Sequence, residues 1–307
     1  MNTTPSSPLR FTPTTGERAL VLGGGGSTGN AWLIGVIAGL FDAGLDVTKA
    51  DLTIGTSAGS TAAAQLAGAT PTELYAATLA VPPQQRTGPA GSSQRPNKPM
   101  ADHLEKFLKI IASSEDAADM RRRMGAAALD KEAASDGSWQ AQWRATVASR
   151  LPSLHWPERA VVITAVDAHT AEPVAFDRHS GVDLVDAVAA SCAGGGLPYR
   201  IGGTPYLDGG YRRGAENADL ASGYERVLVL SPLGGRTLHP PAWGMQLAAQ
   251  VDELRAGGSR VETMFPDSDS EHLFGANAMD LSKRPAAARV GYDQARARAD
   301  QLSEFWR

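Results

Sequence analysis

The segment Gly55-Thr56-Ser57-Ala58-Gly59 lies between a short apolar run and an alanine-rich stretch, and this placement strongly constrains the fold. Residues 51–54, with Leu52 and Ile54, are typical of a short buried strand, and residues 60–68 are typical of a helix. The G-x-S-x-G pattern between them predicts a tight strand-to-helix turn, which holds a serine hydroxyl near the positive end of a helix. Glycines are expected at both ends because a Cβ atom there would collide with the neighbouring strand or helix. The pattern also arises by chance in glycine-rich chains, so the prediction of a serine nucleophile depends on its position.

A second glycine-rich turn, residues 23–29, follows the apolar strand pattern of residues 18–22. Residues 31–43 then carry apolar side chains at helical spacing, with Gly44 as the expected C-terminal stop. The chain thus begins with two strand–turn–helix units, which predict an α/β fold with a parallel sheet covered on both faces. Further strands are expected at 160–165, 173–176 and 226–230, and further helices at 183–192 and 286–305.

The sequence pattern changes near residue 80. Residues 81–100 contain five prolines and no acidic residue, which predicts an irregular loop. Residues 101–150 have a helical pattern, and an apolar stripe through Leu104 and Ile111 suits either a lid over acyl chains or ordinary core packing. We therefore expect one domain over residues 17–307, with a helical, lid-like insertion at about 80–150.

Composition excludes several classes of protein. The formal net charge is −4, which gives no reason to expect a nucleic-acid partner. Cys192 is the one cysteine, so no internal disulfide can form, and a reducing, cytoplasmic compartment fits. No apolar stretch reaches the roughly 18 residues of a membrane span, so any membrane contact is expected to be peripheral. Residues 1–16 are polar and lack the apolar region of a signal peptide, which predicts a flexible N-terminal tail.

The glycine turn at residues 24–29 has two interpretations. It matches G-x-G-x-x-G, the fingerprint of a Rossmann-like dinucleotide-binding protein, and it follows a first strand as that fold requires. The second strand should then end in an acidic residue, whereas here it ends at Gly55 and Asp51 lies at its beginning. Alternatively, the amides of the first three glycines form an oxyanion hole, where each donor contributes about 3–4 kcal/mol. Two parallel strands that end side by side would place these amides next to Ser57.

A serine nucleophile needs a base, and Asp208, followed by Gly209 and Gly210, is the best candidate. The two glycines permit close backbone approach, although the same sequence is also typical of an ordinary turn. Histidine is the usual base, but only His239 and His272 follow Asp208, as the Ser-Asp-His order of α/β-hydrolases demands. Both histidines are expected in loops, and only one strand precedes the nucleophile, so the sequence disfavours a catalytic triad.

These three sites together resemble the patatin-like phospholipase family. That family carries a G-G-G-x-[R/K]-G loop after its first strand, a G-x-S-x-G turn after the next, and a distant D-G-[A/G]. The resemblance covers residues 18–70 and 160–232. It implies a three-layer α/β/α fold with a mainly parallel central sheet. It also implies a lipid acyl hydrolase of the bacterial type, whose Ser-Asp dyad, here Ser57 and Asp208, needs no histidine.

The resemblance further implies a carboxylic ester substrate, such as a phospholipid, a lysophospholipid or an acylglycerol. Asp208 is expected to accept the Ser57 proton, and an apolar site would raise the carboxyl pKa from about 4 toward the working pH. The oxyanion is expected to be held by the amides of Gly24, Gly25, Gly26 and Ala58. The motif glycines expected to support the turns are Gly29, Gly55, Gly59, Gly209 and Gly210.

Two positions depart from the family pattern. Thr28 replaces the basic residue of the glycine loop, which removes a positive charge near the site. Residues 194–198 replace the commoner proline-containing turn, so the wall beside Asp208 is expected to differ in shape. No metal or cofactor is expected, because no Cys/His cluster offers a site. A non-catalytic lipid-binding relative stays an alternative, and the sequence leaves the oligomeric state open.

Overall fold

The structure, a computed structural model, describes residues 15–80 and 98–307. Within these ranges eight strands form one sheet, in the order β5-β6-β3-β2-β1-β7-β8, with β4 also paired to β3. The strands are β1 Gly16–Leu22, β2 Leu52–Gly55, β3 Ala160–Asp167, β4 Pro173–Phe176, β5 Tyr199–Ile201, β6 Thr204–Asp208, β7 Tyr224–Leu230 and β8 Arg260–Met264.

Ten α-helices accompany the sheet in the described ranges. They are α1 Gly26–Asp42, α2 Ala58–Gly68, α3 Pro71–Leu79, α4 Lys98–Ser113, α5 Ala117–Ala133, α6 Trp139–Ala148, α7 Leu184–Ser191, α8 Gly210–Arg213, α9 Leu247–Ala256 and α10 Arg284–Trp306. The predicted α/β fold is therefore confirmed, and each strand and helix expected from the sequence is present. The sequence analysis did not predict β5, β8, α3, α8 or α9.

Five neighbouring strands, β3, β2, β1, β7 and β8, run parallel, and β4, β5 and β6 join antiparallel at one side. The prediction of a mainly parallel sheet is thus confirmed. Parallel strands buried on both faces are apolar throughout rather than alternating. In β1, Leu20 and Leu22 pack into one core, whereas Ala19 and Val21 pack into the core on the opposite face. Helices therefore cover the sheet on both sides, giving three layers.

Helix α1 packs closely against α10. A Cβ atom on Gly35 would lie 2.0 Å from the carbonyl oxygen of Ala288, and one on Gly39 would lie 2.4 Å from that of Tyr292. The small residues thus let the two backbones approach, and α1 is buried over most of its length. This packing fixes the helix that begins at the glycine turn.

Helices α4, α5 and α6 occupy residues 98–148, where the sequence predicts a helical insertion. Most of the predicted loop at 81–100, and the tail at 1–16 up to residue 14, lie outside the described residues, while Gly16 already belongs to β1. The apolar stripe on α4 is split: Ile111 is buried, but Leu104 is 46% exposed. No helix in the described part of the chain has the length and apolar character needed to span a membrane.

Candidate active site

Ser57 occupies a strained turn between β2 and α2. Its φ of 52° and ψ of −114° place a non-glycine residue in a sparsely populated region of conformational space. The flanking glycines make this turn possible: a Cβ atom on Gly59 would lie 1.9 Å from the carbonyl oxygen of Leu22. One on Gly55 would lie 2.6 Å from the Cα of Ser60. The strand-to-helix turn predicted from the sequence is therefore present, and Ser57 is half-buried at its tip.

The end of α7 holds the backbone of this turn. The amide of Ser57 donates to the hydroxyl of Ser191 over 2.9 Å, and the thiol of Cys192 donates to the Ser57 carbonyl over 3.1 Å. Burial, with a smaller contribution from the Asp208 carboxylate, raises the pKa of the Cys192 thiol to about 11. The thiol therefore stays protonated at neutral pH, so it acts as a donor rather than as a nucleophile.

Asp208 lies at the end of β6, and its carboxyl is close enough to the side chain of Ser57 for the two groups to interact. Its Oδ1 atom accepts a hydrogen bond from the amide of Gly210 over 2.8 Å. Burial raises the pKa of the Asp208 carboxyl to about 6, although the Gly210 amide and the Ser57 side chain act in the opposite direction. The structure thus places the two residues singled out in the sequence beside each other.

Glycines allow the backbone to approach the Asp208 carboxylate closely. A Cβ atom on Gly209 would lie 2.1 Å from the hydroxyl oxygen of Thr164, so no side chain fits there. Across the carboxylate, a Cβ atom on Gly194 would lie 3.0 Å from Oδ2 of Asp208. The unusual glycine-rich segment at 194–198 therefore forms the wall beside the carboxylate.

Asn217 joins the two turns and was not assigned a catalytic role from the sequence. It is fully buried, with a left-handed φ of 54°. Its Nδ2 atom donates to the hydroxyl of Thr56 and to the carbonyl of Gly209, both over 2.9 Å. A longer bond of 3.3 Å reaches the hydroxyl of Thr164, and Oδ1 accepts from the amide of Arg213 over 3.1 Å. One side chain thus ties the residue before the nucleophile to the residue after the carboxylate.

The glycine turn after β1 lies beside Ser57, but one of its predicted donors is already engaged. The amide of Gly24 donates to the carbonyl of Ala215 over 2.8 Å, so it is not available to a substrate oxygen. Within the described residues, the amides of Gly25, Gly26 and Ala58 have no hydrogen-bond partner. Of the four amides predicted to hold the oxyanion, these three are therefore free to bind a substrate oxygen.

The other glycines of the turn are explained by close packing. A Cβ atom on Gly25 would lie 2.7 Å from the side chain of Pro232, and one on Gly29 would lie 3.1 Å from it. Gly26 has a φ of +66°, and its Cβ atom would lie 2.8 Å from the carbonyl oxygen of Ala278. That same carbonyl accepts from the amide of Thr28 over 3.0 Å. Contacts with Pro232 on one side and Ala278 on the other thus hold the loop in place.

A cavity of about 290 Å³ lies between α4 and α5. Its walls are mostly apolar, and Leu207, the residue before Asp208, contributes to them. Two lysines with exposed side chains, Lys106 and Lys131, also line it. The apolar lining residues include Phe107, Ile110, Met124, Ala128 and Leu207.

Neither histidine considered as a base bonds to the Ser-Asp pair. His239 is buried, bonds to the Thr237 hydroxyl and packs edge-on against Phe107. Burial lowers the pKa of the His239 imidazole to about 4. His272 is exposed and contacts the carbonyl of Asp269. Among the described side chains, no group of three or more His, Cys, Asp or Glu residues could hold a metal ion.

A model of the patatin-like phospholipase family matches residues 20–219, a stretch that includes both Ser57 and Asp208. Among solved structures, the chain is similar to VipD from Legionella pneumophila, with 13% identity and a TM-score of 0.42; the match covers 94% of this chain and 67% of VipD. It is also similar to the type III effector protein ExoU, with 15% identity and a TM-score of 0.40, over 94% of this chain and 54% of ExoU.

A structure of full-length ExoU in complex with SpcU, from the type III secretion system of Pseudomonas aeruginosa, matches at 16% identity and a TM-score of 0.31. That match covers 92% of this chain and 53% of the other, so the chain spans about half the length of ExoU. A comparison with curated protein sequences finds no match.

Proposed function

Because the chain belongs to the patatin-like phospholipase family, we propose that it is a serine acyl hydrolase that cleaves a carboxylic ester of a lipid. The placement of the Ser57 side chain beside the buried Asp208 carboxyl is the observation that carries this proposal. A serine on a strained turn, beside a carboxylate of raised pKa, has the geometry of a nucleophile with its base.

In the first half of the reaction, Asp208 accepts the proton of the Ser57 hydroxyl while Oγ forms a bond to the ester carbonyl carbon. The carbonyl oxygen becomes an oxyanion, which the amides of Gly25, Gly26 and Ala58 would hold. The bond to the alcohol then breaks, and Asp208 returns its proton to the leaving oxygen. Ser57 is left as an acyl ester.

Water completes the cycle. Asp208 accepts a proton from water as the water oxygen attacks the acyl carbon, and a second oxyanion forms at the same amides. The bond between the acyl carbon and Oγ of Ser57 then breaks, and Oγ takes the proton back. Since burial brings the Asp208 pKa to about 6, the carboxylate is a stronger base than an exposed aspartate yet remains ionised at neutral pH.

The cavity between α4 and α5 supports an ester with an acyl chain. Leu207, the residue before Asp208, lines it together with Phe107, Met124 and Ala128. Removing an apolar chain from water stabilises the complex by about 0.8 kcal/mol for each buried CH₂ group. We propose that this cavity holds the acyl chain while the ester carbonyl lies at Ser57.

The decisive experiment is labelling with a fluorophosphonate, measured by intact mass, on the wild type, Ser57→Ala and Asp208→Asn. We expect one adduct on the wild type, none on Ser57→Ala, and labelling slowed by at least about 100-fold in Asp208→Asn. Ser149→Ala and Asp252→Asn change an exposed serine and an exposed aspartate, so both controls should label like the wild type.

Hydrolysis is then measured with monoacylglycerol, lysophospholipid and diacyl phospholipid of the same chain length. Turnover of any of these that depends on Ser57 supports the proposal. If the wild type binds lysophospholipid but neither labels nor hydrolyses, the protein is a non-catalytic lipid binder. Equal labelling of the wild type and Ser57→Ala would assign the nucleophile elsewhere.

A further inference from the structure

Arg284, the first residue of α10, contacts the glycine turn from the far end of the chain. Its guanidinium donates to the carbonyl of Ser27 over 2.7 Å and to the hydroxyl of the same residue over 3.2 Å. It also donates to the side-chain oxygen of Asn30 over 3.1 Å. All of these acceptors belong to the first turns of α1, directly after Gly26.

The same contacts reach the other side of the candidate oxyanion site. While Oδ1 of Asn30 accepts from Arg284, its Nδ2 atom donates to the carbonyl of Ala58 over 3.4 Å and to Gln65 over 3.0 Å. Ala58 directly follows Ser57. Arg284 therefore connects the turn that holds the Gly26 amide to the turn that holds the Ala58 amide.

The charge of Arg284 is placed where electrostatics alone disfavour it. The N-terminus of a helix carries a partial positive charge, and Arg284 lies at the start of α10 while it contacts the start of α1. Among the described side chains it forms no ion pair.

A neutral side chain with the same donors would tie the two helices without this electrostatic cost. The charge strengthens the hydrogen bonds to these neutral acceptors, and it becomes more favourable when negative charge develops nearby. The proposed reaction produces such a charge, an oxyanion, at the adjacent amides. Where the family's glycine loop carries a basic residue, this chain has Thr28. The hydroxyl of Thr28 is buried and has no hydrogen-bond partner among the described residues.

We propose that Arg284 is a positioning residue for the oxyanion site: it fixes the Gly26 and Ala58 turns relative to each other and supplies the positive charge that the glycine loop lacks. This inference rests on the proposed hydrolase activity. It has two separable parts. The clamp is the hold that Arg284 has on the glycine turn, and the charge is the positive charge of its guanidinium; each part has its own test.

The clamp is tested without any substrate, by hydrogen–deuterium exchange on the full chain. In Arg284→Gln, the peptide covering residues 23–33 should exchange at least about tenfold faster than in the wild type, because its anchor to α10 is weakened. Arg289→Gln changes an exposed arginine on the same helix and should leave this exchange unchanged. Unchanged exchange in Arg284→Gln would overturn the proposal.

The charge is tested by comparing Arg284→Gln with Arg284→Lys on a neutral, soluble ester. We expect kcat to fall at least about tenfold in Arg284→Gln with KM nearly unchanged, because the lost interaction belongs to the transition state. Arg284→Lys keeps the charge and should recover most of kcat. Equal losses of kcat in both variants, or losses of kcat that follow a fall in Tm, would mean that Arg284 has only a structural role.

The two tests also separate this inference from the proposed function. A wild type that neither reacts with the fluorophosphonate nor hydrolyses esters would contradict both the proposed function and the proposed role of the Arg284 charge. The exchange measurement would still decide whether the clamp exists.

Discussion

The side-chain amide of Asn217 donates a hydrogen bond to the hydroxyl of Thr56 over 2.9 Å, and through it the segment after Asp208 holds the residue before Ser57. We predict that Asn217→Ala lowers the free energy of unfolding by about 3 kcal/mol, because it leaves several buried polar groups without partners. Activity should fall as well, since the two turns lose their common anchor. Urea unfolding and ester hydrolysis measure the two effects.

The left-handed backbone of Asn217 provides an internal control for this prediction. Asn217→Gly removes the same hydrogen bonds but tolerates a φ of 54°, so it should be about 1 kcal/mol more stable than Asn217→Ala. Both variants should lose activity to the same extent. If Asn217→Gly restores activity, the backbone conformation matters and the hydrogen bonds do not.

The pH dependence of hydrolysis should report the ionisation of Asp208. Since the base must be the carboxylate and its pKa is raised to about 6, kcat/KM on a soluble ester should rise through pH 6 and level off above it. A series from pH 3.5 to pH 8.5 covers this transition and would also detect one near pH 4. A midpoint near pH 4 would indicate an exposed carboxylate and contradict the assigned environment.

Ionisation of the Asp208 carboxyl should also lower the free energy of unfolding at neutral pH. A carboxyl with a pKa near 6 in the folded protein, and about 4 in the unfolded chain, binds its proton more tightly when folded. Its favourable contribution is complete below pH 4 and is lost as the pH rises through 6. Asp208→Asn should therefore be inactive yet more stable than the wild type at pH 8, by roughly 1–2 kcal/mol after allowance for partial exposure.

Thermal or urea unfolding at pH 4 and pH 8 checks this prediction, because the stability gain should disappear at the lower pH. Asp252→Asn makes the same chemical change on the exposed face of α9. A gain of equal size in that control would show that the effect does not come from the site.

Two adjacent glycines offer a matched test of the wall beside the carboxylate. A Cβ atom on Gly194 would lie 3.0 Å from Oδ2 of Asp208, whereas one on Gly195 would meet nothing within 4 Å. Gly194→Ala should lower kcat/KM by about tenfold and move its pH midpoint upward, because the methyl group displaces or further desolvates the carboxylate. Gly195→Ala should behave like the wild type, and equal effects would contradict this account.

The cavity between α4 and α5 should set the preferred acyl length. Ala128 is buried in its wall, and Ala126 is exposed on the same helix. Ala128→Phe should lower kcat/KM for long-chain esters by at least about tenfold while sparing short ones, because the ring occupies the space of the chain. Ala126→Phe should leave the chain-length profile unchanged. The comparison uses esters of one alcohol with acyl chains of increasing length.

The sequence predicted the parts of the site that local geometry determines. Ser57 needs glycines on both sides because the turn brings α2 against β1, and this requirement is visible in five consecutive residues. Asp208 follows an apolar strand and precedes two glycines, which is also a local pattern. The alternating strands and helices likewise follow from short segments, since buried parallel strands are apolar on both faces.

The remaining features depend on contacts between distant segments. The Gly24 amide belongs to the glycine turn that matches G-x-G-x-x-G, but it donates to the carbonyl of Ala215. No local sequence pattern predicts that pairing. Among the described strands, β8 pairs with β7 alone. Of its five residues just Val261 and Met264 are buried, so it lacks the continuous apolar run of a central strand. The partners of Arg284 at Ser27 and Asn30 likewise become visible only once α10 lies against α1.

The close packing of α1 against α10 also determines when during synthesis the site can be completed. Arg284 is added 76 residues after Asp208 (284 − 208), which at about 5–20 residues per second takes roughly 4–15 s. During that interval the nascent chain already contains its serine and its aspartate, but α1 lacks the helix that covers it. The ribosome thus carries a precursor whose glycine turn lacks its packing partner, and we expect the proposed hydrolase activity to appear only after α10 has docked against α1.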